Sequence, residues 1–192
     1  MFPGLADWIK MLLAFAVSLL VAYVMTPPVK RFAEKVGAID VPKDSRRVHD
    51  HPIPRMGGLA IFIGFVLSLI FFVPMSTKVL GLLVGSVIIA VMGGVDDIVS
   101  LNPWVKLAGQ IVAALVAIRC GLVIDVISNP NIFAEETYIE IGWLSIPLTM
   151  LWIVGCTNAV NLIDGLDGLA VGVSAISSLT MLIVSLFVSE PV

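Results

Sequence analysis

The chain has 192 residues, of which 59% are hydrophobic and 13% charged, and its mean hydropathy is +1.07. Soluble domains carry about 25% charged residues, so a water-soluble globular domain is excluded and an integral membrane protein is implied. The formal net charge of −3 says little by itself, because the two signs are segregated along the chain; no nucleic-acid partner is expected.

A span needs about 17–25 apolar residues. Six stretches approach that length, at 8–25, 57–73, 79–95, 104–122, 146–162 and 169–188. Backbone polar groups in lipid must be satisfied within the segment, so each is read as a helix. The fold class is therefore an all-α polytopic membrane protein with about six transmembrane helices in one domain, 1–192. The first stretch follows Asp7 and Lys10 and is too long for a signal-peptide core, which makes it a retained span. Gly64, Gly81 and Gly85 suit close helix packing in lipid. Cys120 and Cys156 have neither disulfide-framework nor zinc-ligand spacing and read as small buried apolar residues.

Between the first two spans, 27–56 holds Lys30, Arg31, Lys35, Lys43, Arg46, Arg47 and Arg55, seven of the chain's eleven Lys and Arg. The positive-inside rule makes this basic loop cytoplasmic and the N-terminus external. Val29, Phe32, Ala33 and Val36 share one face of a short interfacial helix predicted over 29–36. Alternation then places 95–103 and NLIDGLDG, Asn161 to Gly168, inside. It places 124–145 outside, where Tyr138, Ile139, Ile141 and Trp143 have strand-like composition and predict a small β-element.

Three polar clusters share the cytoplasmic face. In GGVDDIVSL, Asp96 and Asp97 diverge by roughly a hundred degrees on a helix of about 3.6 residues per turn, so one can activate a nucleophile while the other holds a cation or a basic partner. A pair of acids at a span end is also what an ordinary membrane edge carries. In NAVNLIDGLDG, Asn158, Asn161, Asp164 and Asp167 recur every third residue. If the helix continues, they form one oxygen-bearing stripe suited to Mg²⁺ and substrate phosphates. Capping would need one such residue rather than four. In SRRVHDHPIPRMGG, Arg46, Arg47, His49, His51 and Arg55 precede Gly57 and Gly58. Arginine forks match phosphate oxygens; the competing reading is contact with anionic lipid. Lys106 and Arg119 are read as snorkelling from opposite ends of the fourth span.

Acids, amide oxygens and a basic, histidine-bearing loop on one face suit a reaction between a phosphorylated soluble substrate and a lipid phosphate. A transporter would hold its acids near the midplane, often in repeated halves, and a purely structural subunit has no need of the Asn/Asp ladder.

RRVHDHPIPRMGGLAIF, GGVDDIVSLNPWVKLAGQ and TNAVNLIDGLDGLAVG resemble, in order, signatures of the polyprenyl-phosphate N-acetylhexosamine-1-phosphate transferases, a resemblance that runs across nearly the whole chain. It implies a bacterial cytoplasmic-membrane enzyme with a cytoplasmic active face. Such an enzyme uses Mg²⁺, with Mn²⁺ as a substitute, to join undecaprenyl phosphate to the sugar-linked phosphate of a UDP-sugar, and a homodimer is compatible with it. The products start wall teichoic acids, O-antigens and related polysaccharides. The sister branch, phospho-N-acetylmuramoyl-pentapeptide transferase, usually has a lysine-bearing GTPTMGG-like stretch where this chain reads HPIPRMGG, so UDP-GlcNAc is the expected donor. By the same resemblance Asp96 activates the lipid phosphate with Asp97 beside it. Asn161 and Asp97 serve the metal, while Asn158, Asp164, Asp167 and the residues from Arg46 and Arg47 through His49 and His51 to Arg55 contact substrate. The family's later GDxGS-like turn and its histidine- or arginine-rich loop do not occur in these 192 residues. The expectation is that this chain alone has little or no transferase activity, either as part of a longer protein or as a non-catalytic membrane subunit of the same fold.

Overall fold

A computed structural model describes residues 4–40, 53–130, 136–166 and 168–187. Six α-helices correspond one to one with the six apolar stretches: α1 Leu5–Val36, α2 Gly57–Phe72, α3 Thr77–Val99, α4 Pro103–Arg119, α5 Ser145–Ile163 and α6 Leu169–Phe187. Helices α1, α3 and α6, and α5 with the turn before it, are long and apolar enough to cross a membrane. The apolar α2 has 16 residues and α4 has 17. At 1.5 Å per residue these give about 24–26 Å, a little under the ~30 Å hydrocarbon core.

Helix α1 begins where the backbone N–H of Gly4 donates to Asp7 Oδ2 at 3.1 Å. It differs from expectation at its other end, because 29–36 is not a separate interfacial helix but the last two turns of α1, which runs through Pro27 and Pro28. A proline pair removes two helical donors. The carbonyls left without them belong to Tyr23 and Val24, both exposed residues at the end of the apolar stretch, where water or headgroups can satisfy them. Of the predicted apolar face, Val29 and Ala33 are buried and Phe32 is exposed. The helix stops at Gly37, whose φ of 78° suits glycine, and Ala38 N–H reaches back to the Ala33 carbonyl at 2.9 Å, a Schellman closure.

The helices pack through small residues. Helices α1 and α2 run antiparallel: Ser68 Oγ donates to the Ala14 carbonyl at 2.8 Å, and a Cβ on Gly64 would lie 2.6 Å from the Ser18 carbonyl oxygen. Helices α3 and α4 form a second hairpin, with Gly81 against Cys120, Gly85 against the Ala113 carbonyl and Gly109 against Met92. The tight α3–α4 turn is set by Asn102, whose side chain accepts from Trp104 N–H at 2.9 Å, with Pro103 opening α4. Helix α4 packs on α5, while α6 packs on α5 far less and is exposed along nearly all its length. Among the described residues no large side chain is fully buried; the interior is Ala33, Ala38, Ala60, Ala113, Ala114 and their neighbours. Large apolar side chains such as Phe71, Trp143, Leu151 and Met181 point outward, as lipid-facing surfaces require. Cys156 is one of the outward residues, contrary to the expected burial, because it lies on the open face of α5; Cys120 is half-buried against Gly81.

Two short antiparallel ribbons complete the fold. β1, Ile39–Asp40, pairs with β2, Ile53–Pro54, closing the basic loop at its base. β3, Val126–Ser128, pairs with β4, Tyr138–Glu140, and is the small β-element expected within 124–145. Trp143 falls not in a strand but in the short turn of helix that leads into α5. Thr149 anchors this region to α5: its Oγ1 accepts from Ile124 N–H at 2.8 Å and donates to the Ser145 carbonyl at 2.6 Å.

Candidate functional site

One end of the bundle gathers the C-terminal turn of α3, the start of α2 and the C-terminal end of α5. The charges of Arg55, Asp96 and Asp164 all act on Asp97, and the backbone N–H of Met56 faces its carboxylate. One residue from each of the other two sequence clusters thus bears on Asp97, besides its neighbour Asp96: Asp164 from the ladder and Arg55 from the basic loop. Arg55 is seated by the hairpin: its N–H donates to the Ala38 carbonyl at 2.8 Å, so the end of the basic loop is fixed directly above the start of α2. Arg46, Arg47, His49 and His51, and likewise Asp167, lie outside the described residues.

Asp96 faces another way. Its Oδ1 accepts from Leu101 N–H at 2.8 Å, and its Oδ2 forms an ion pair with Lys106 on α4. Lys106 therefore does not snorkel from the end of its span. It folds back along the first turn of α4 because a carboxylate stands within reach there and neutralises it in a partly buried setting. The adjacent acids consequently have different environments, as their divergence on a helix requires: Asp96 is held by α4 and by the α3–α4 turn, and Asp97 faces α2 and α5.

The ladder does not form one continuous stripe. Helix α5 ends at Ile163, with Asp164 as its cap at φ −80°, ψ 56°, and Gly168 takes φ 79° before α6. The glycines at 165 and 168 stop the helix, so only Asn158 and Asn161 lie on it. Asn158 turns inward and exchanges two hydrogen bonds with Gln110 of α4: Nδ2 to Oε1 at 2.7 Å and Gln110 Nε2 to Asn158 Oδ1 at 3.3 Å. Its Nδ2 also donates to the Val154 carbonyl at 2.8 Å. Asn161 and Asp164 are exposed at the end of α5, free of this pairing. Gln110, at 5% exposure, was missed by motif reading; the only sequence signal was a lone amide inside an apolar span.

The clasp is expected to be measurable. Gln110→Leu leaves the Asn158 carbonyl without its partner and should destabilise the bundle by about 1–2 kcal/mol. The double variant Gln110→Leu/Asn158→Leu should recover most of that loss. Thermal unfolding in detergent of the two single variants and the double checks both statements.

Among the described residues no group of three or more His, Cys, Asp or Glu converges to hold a metal ion. Asp97 and Asp164 are near enough for the charge of one to act on the other. Such a pair of acids suits a divalent cation that binds through one or two protein oxygens and takes the rest from phosphate and water.

Comparison with known proteins bears on the same residues. The signature of glycosyl transferase family 4 matches 79–191, a segment that contains the acid pair and the whole ladder. The chain belongs to glycosyl transferase family 4. It is 47% identical over 179 residues to the probable undecaprenyl-phosphate N-acetylglucosaminyl 1-phosphate transferase of Bacillus subtilis, covering 93% of this chain and 49% of that protein. It is 36% identical over 171 residues to the decaprenyl-phosphate N-acetylglucosaminephosphotransferase of Mycobacterium tuberculosis, covering 84% and 42%. It is 30% identical over 183 residues to the phospho-N-acetylmuramoyl-pentapeptide-transferase of Halalkalibacterium halodurans, covering 88% and 55%. This family 4 chain spans about half the length of the curated relatives it matches. No solved structure matches it significantly.

Proposed function

We propose that the protein contributes to the transfer of GlcNAc-1-phosphate from UDP-GlcNAc to undecaprenyl phosphate, at the cytoplasmic face of a bacterial membrane. The observation that carries this reading is the meeting of Asp97, Arg55 and Asp164 at one end of a membrane bundle, in a chain similar to a GlcNAc-1-phosphate transferase over 93% of its length. In the reaction a lipid phosphate oxygen attacks the phosphorus that carries the sugar. A new P–O bond forms, the bond between the two phosphates of UDP-GlcNAc breaks, and UMP leaves. The products are undecaprenyl-diphospho-GlcNAc and UMP, which suits the first membrane step of a cell-envelope polysaccharide.

Phosphoryl transfer depends on positioning and charge neutralisation more than on covalent participation by the protein. Asp97, Asp164 and Asn161 are the residues that would hold Mg²⁺, which when bound neutralises phosphate charge. Arg55 would bind a phosphate through its guanidinium fork. Asp96, paired with Lys106, would act on the lipid phosphate from the α4 side. The seven basic residues of 27–56 support a cytoplasmic location for this end of the bundle. The GlcNAc donor is favoured over the muramoyl-pentapeptide donor by the higher identities to the GlcNAc relatives, 47% and 36% against 30%.

The test uses the chain extended to the full length of its relatives, in membranes depleted of the native enzyme, with radiolabelled UDP-GlcNAc and UDP-MurNAc-pentapeptide in parallel. Mg²⁺-dependent label in a lipid diphosphate from UDP-GlcNAc alone is the expected result. Label from the pentapeptide donor alone overturns the donor assignment, and label from neither overturns the reaction. The 192-residue chain by itself should give little or no product in the same assay; robust product from it would contradict that expectation.

A further inference from the structure

Among the described residues only two non-glycine positions have positive φ: Met56 at 71° and Ser100 at 50°. Such conformations are unfavourable for residues with a Cβ and concentrate at functional sites, where the surrounding structure enforces them. Here each serves one member of the acid pair. Ser100 ends α3 in the left-handed conformation, after which the N–H of the next residue, Leu101, bonds Asp96. Met56 precedes α2 in the left-handed conformation, and its own N–H faces the Asp97 carboxylate.

The surroundings of Met56 account for its conformation. On one side Arg55 N–H is tied to the Ala38 carbonyl at 2.8 Å; on the other the Met56 carbonyl accepts the first bond of α2, from Leu59 N–H at 2.9 Å. The Met56 side chain reaches across to α3, where its Cε would lie 3.2 Å from a Cβ built on Gly94. Gly94 stands three residues before Asp97, on the same side of α3. The chain must therefore pass from the hairpin to α2 in one residue while the side chain of that residue lies on α3.

We propose that Met56 is a positioning residue: its left-handed backbone, braced by its side chain against Gly94, aims its own N–H at Asp97 and fixes Arg55 beside it. The strain is retained because relaxing it would let the start of α2 swing away from the end of α3. The activity arm of the test rests on the transferase reading above; the exchange arm does not.

The experiment compares the parent with Met56→Gly and Met56→Leu in the full-length protein. Glycine keeps the N–H but removes both brace and strain. Its thermal midpoint should stay level or rise, while kcat falls about 10²-fold, the scale of a small misplacement of reacting groups, with KM for UDP-GlcNAc unchanged. Leucine restores the brace and should return kcat to near the parent value. A purely structural role predicts instead that stability and kcat fall together. Hydrogen exchange at the residue 56 amide is measured in the same proteins and in Asp97→Ala. Protection in the parent and Met56→Leu, lost in Met56→Gly and Asp97→Ala, is expected. Parent-like kcat in Met56→Gly overturns the proposal, and so does an unprotected amide in the parent. If the parent transfers neither sugar phosphate, the reaction assignment fails and the exchange arm alone decides.

Discussion

Asp97→Asn should lower transfer by about 10²–10⁴-fold, the range over which a positioned catalytic acid or base acts, while the protein still inserts and unfolds at the parent temperature. The side chain keeps its size and can still accept from Met56 N–H, so what disappears is the charge shared with Asp164 and balanced by Arg55. Asp96→Asn should also reduce turnover, but with a second symptom. It leaves Lys106 without its carboxylate, and an ion left unpaired in a partly buried site destabilises the structure that holds it. Adding Lys106→Met to Asp96→Asn should recover stability without recovering turnover. Kinetics and thermal unfolding on the four proteins separate the acids: one acts at the reacting centre alone, the other is also part of the α3–α4 junction. Asn161→Ala and Asp164→Asn belong with Asp97 in this scheme. If these and both Asp→Asn variants keep near-normal turnover, the site lies elsewhere.

The second large effect concerns packing. Gly64→Leu should destabilise the bundle by about 3 kcal/mol or more, or prevent its assembly, measured by thermal unfolding in detergent and by the monodispersity of the purified protein. Even a single Cβ at this position would stand 2.6 Å from the Ser18 carbonyl oxygen, a backbone atom that cannot rotate aside. Helices α1 and α2 would have to separate, breaking the Ser68–Ala14 hydrogen bond and displacing the start of α2, which carries Arg55 and Met56 to Asp97. Gly57→Ala makes a control on the same helix, since nothing lies within 4 Å of a Cβ built there.

The helices were legible because a membrane span is a property of composition over about 20 residues, and the six apolar stretches correspond to six helices with ends shifted by a few residues, save α1, which continues past its apolar stretch to Val36. The glycines that pack were legible for a related reason: in lipid a small residue inside a span has few other uses. The β3–β4 ribbon followed from Tyr138 and Ile139. What the sequence hid were relationships across distance or against local preference. Nothing local marks Gln110 as the partner of Asn158, 48 residues away. Lys106 resembles any lysine near a span end until α3 brings Asp96 to it. Pro27 and Pro28 argue for a helix break, and only the exposure of the freed carbonyls shows why none occurs. Met56 is a poor candidate for left-handed backbone with Gly57 and Gly58 beside it, and the observed conformation reflects tertiary contacts. The ladder is not a single helical face, because α5 ends at Ile163 within it and Asn158 turns to Gln110.

The alanine and glycine interior has a thermodynamic consequence. When helices part inside a bilayer, the surfaces they uncover meet acyl chains rather than water, and the heat-capacity increment of unfolding comes from hydrating apolar surface. With Ala33, Ala60, Ala113 and Ala114 lining the contacts, little such surface exists even where water does enter. The cohesion of this bundle is therefore mostly dispersion at close backbone approach, joined by a few hydrogen bonds such as the Gln110–Asn158 pair. Its stability should fall almost linearly with temperature, without the domed curve and cold-side weakening of a water-soluble core.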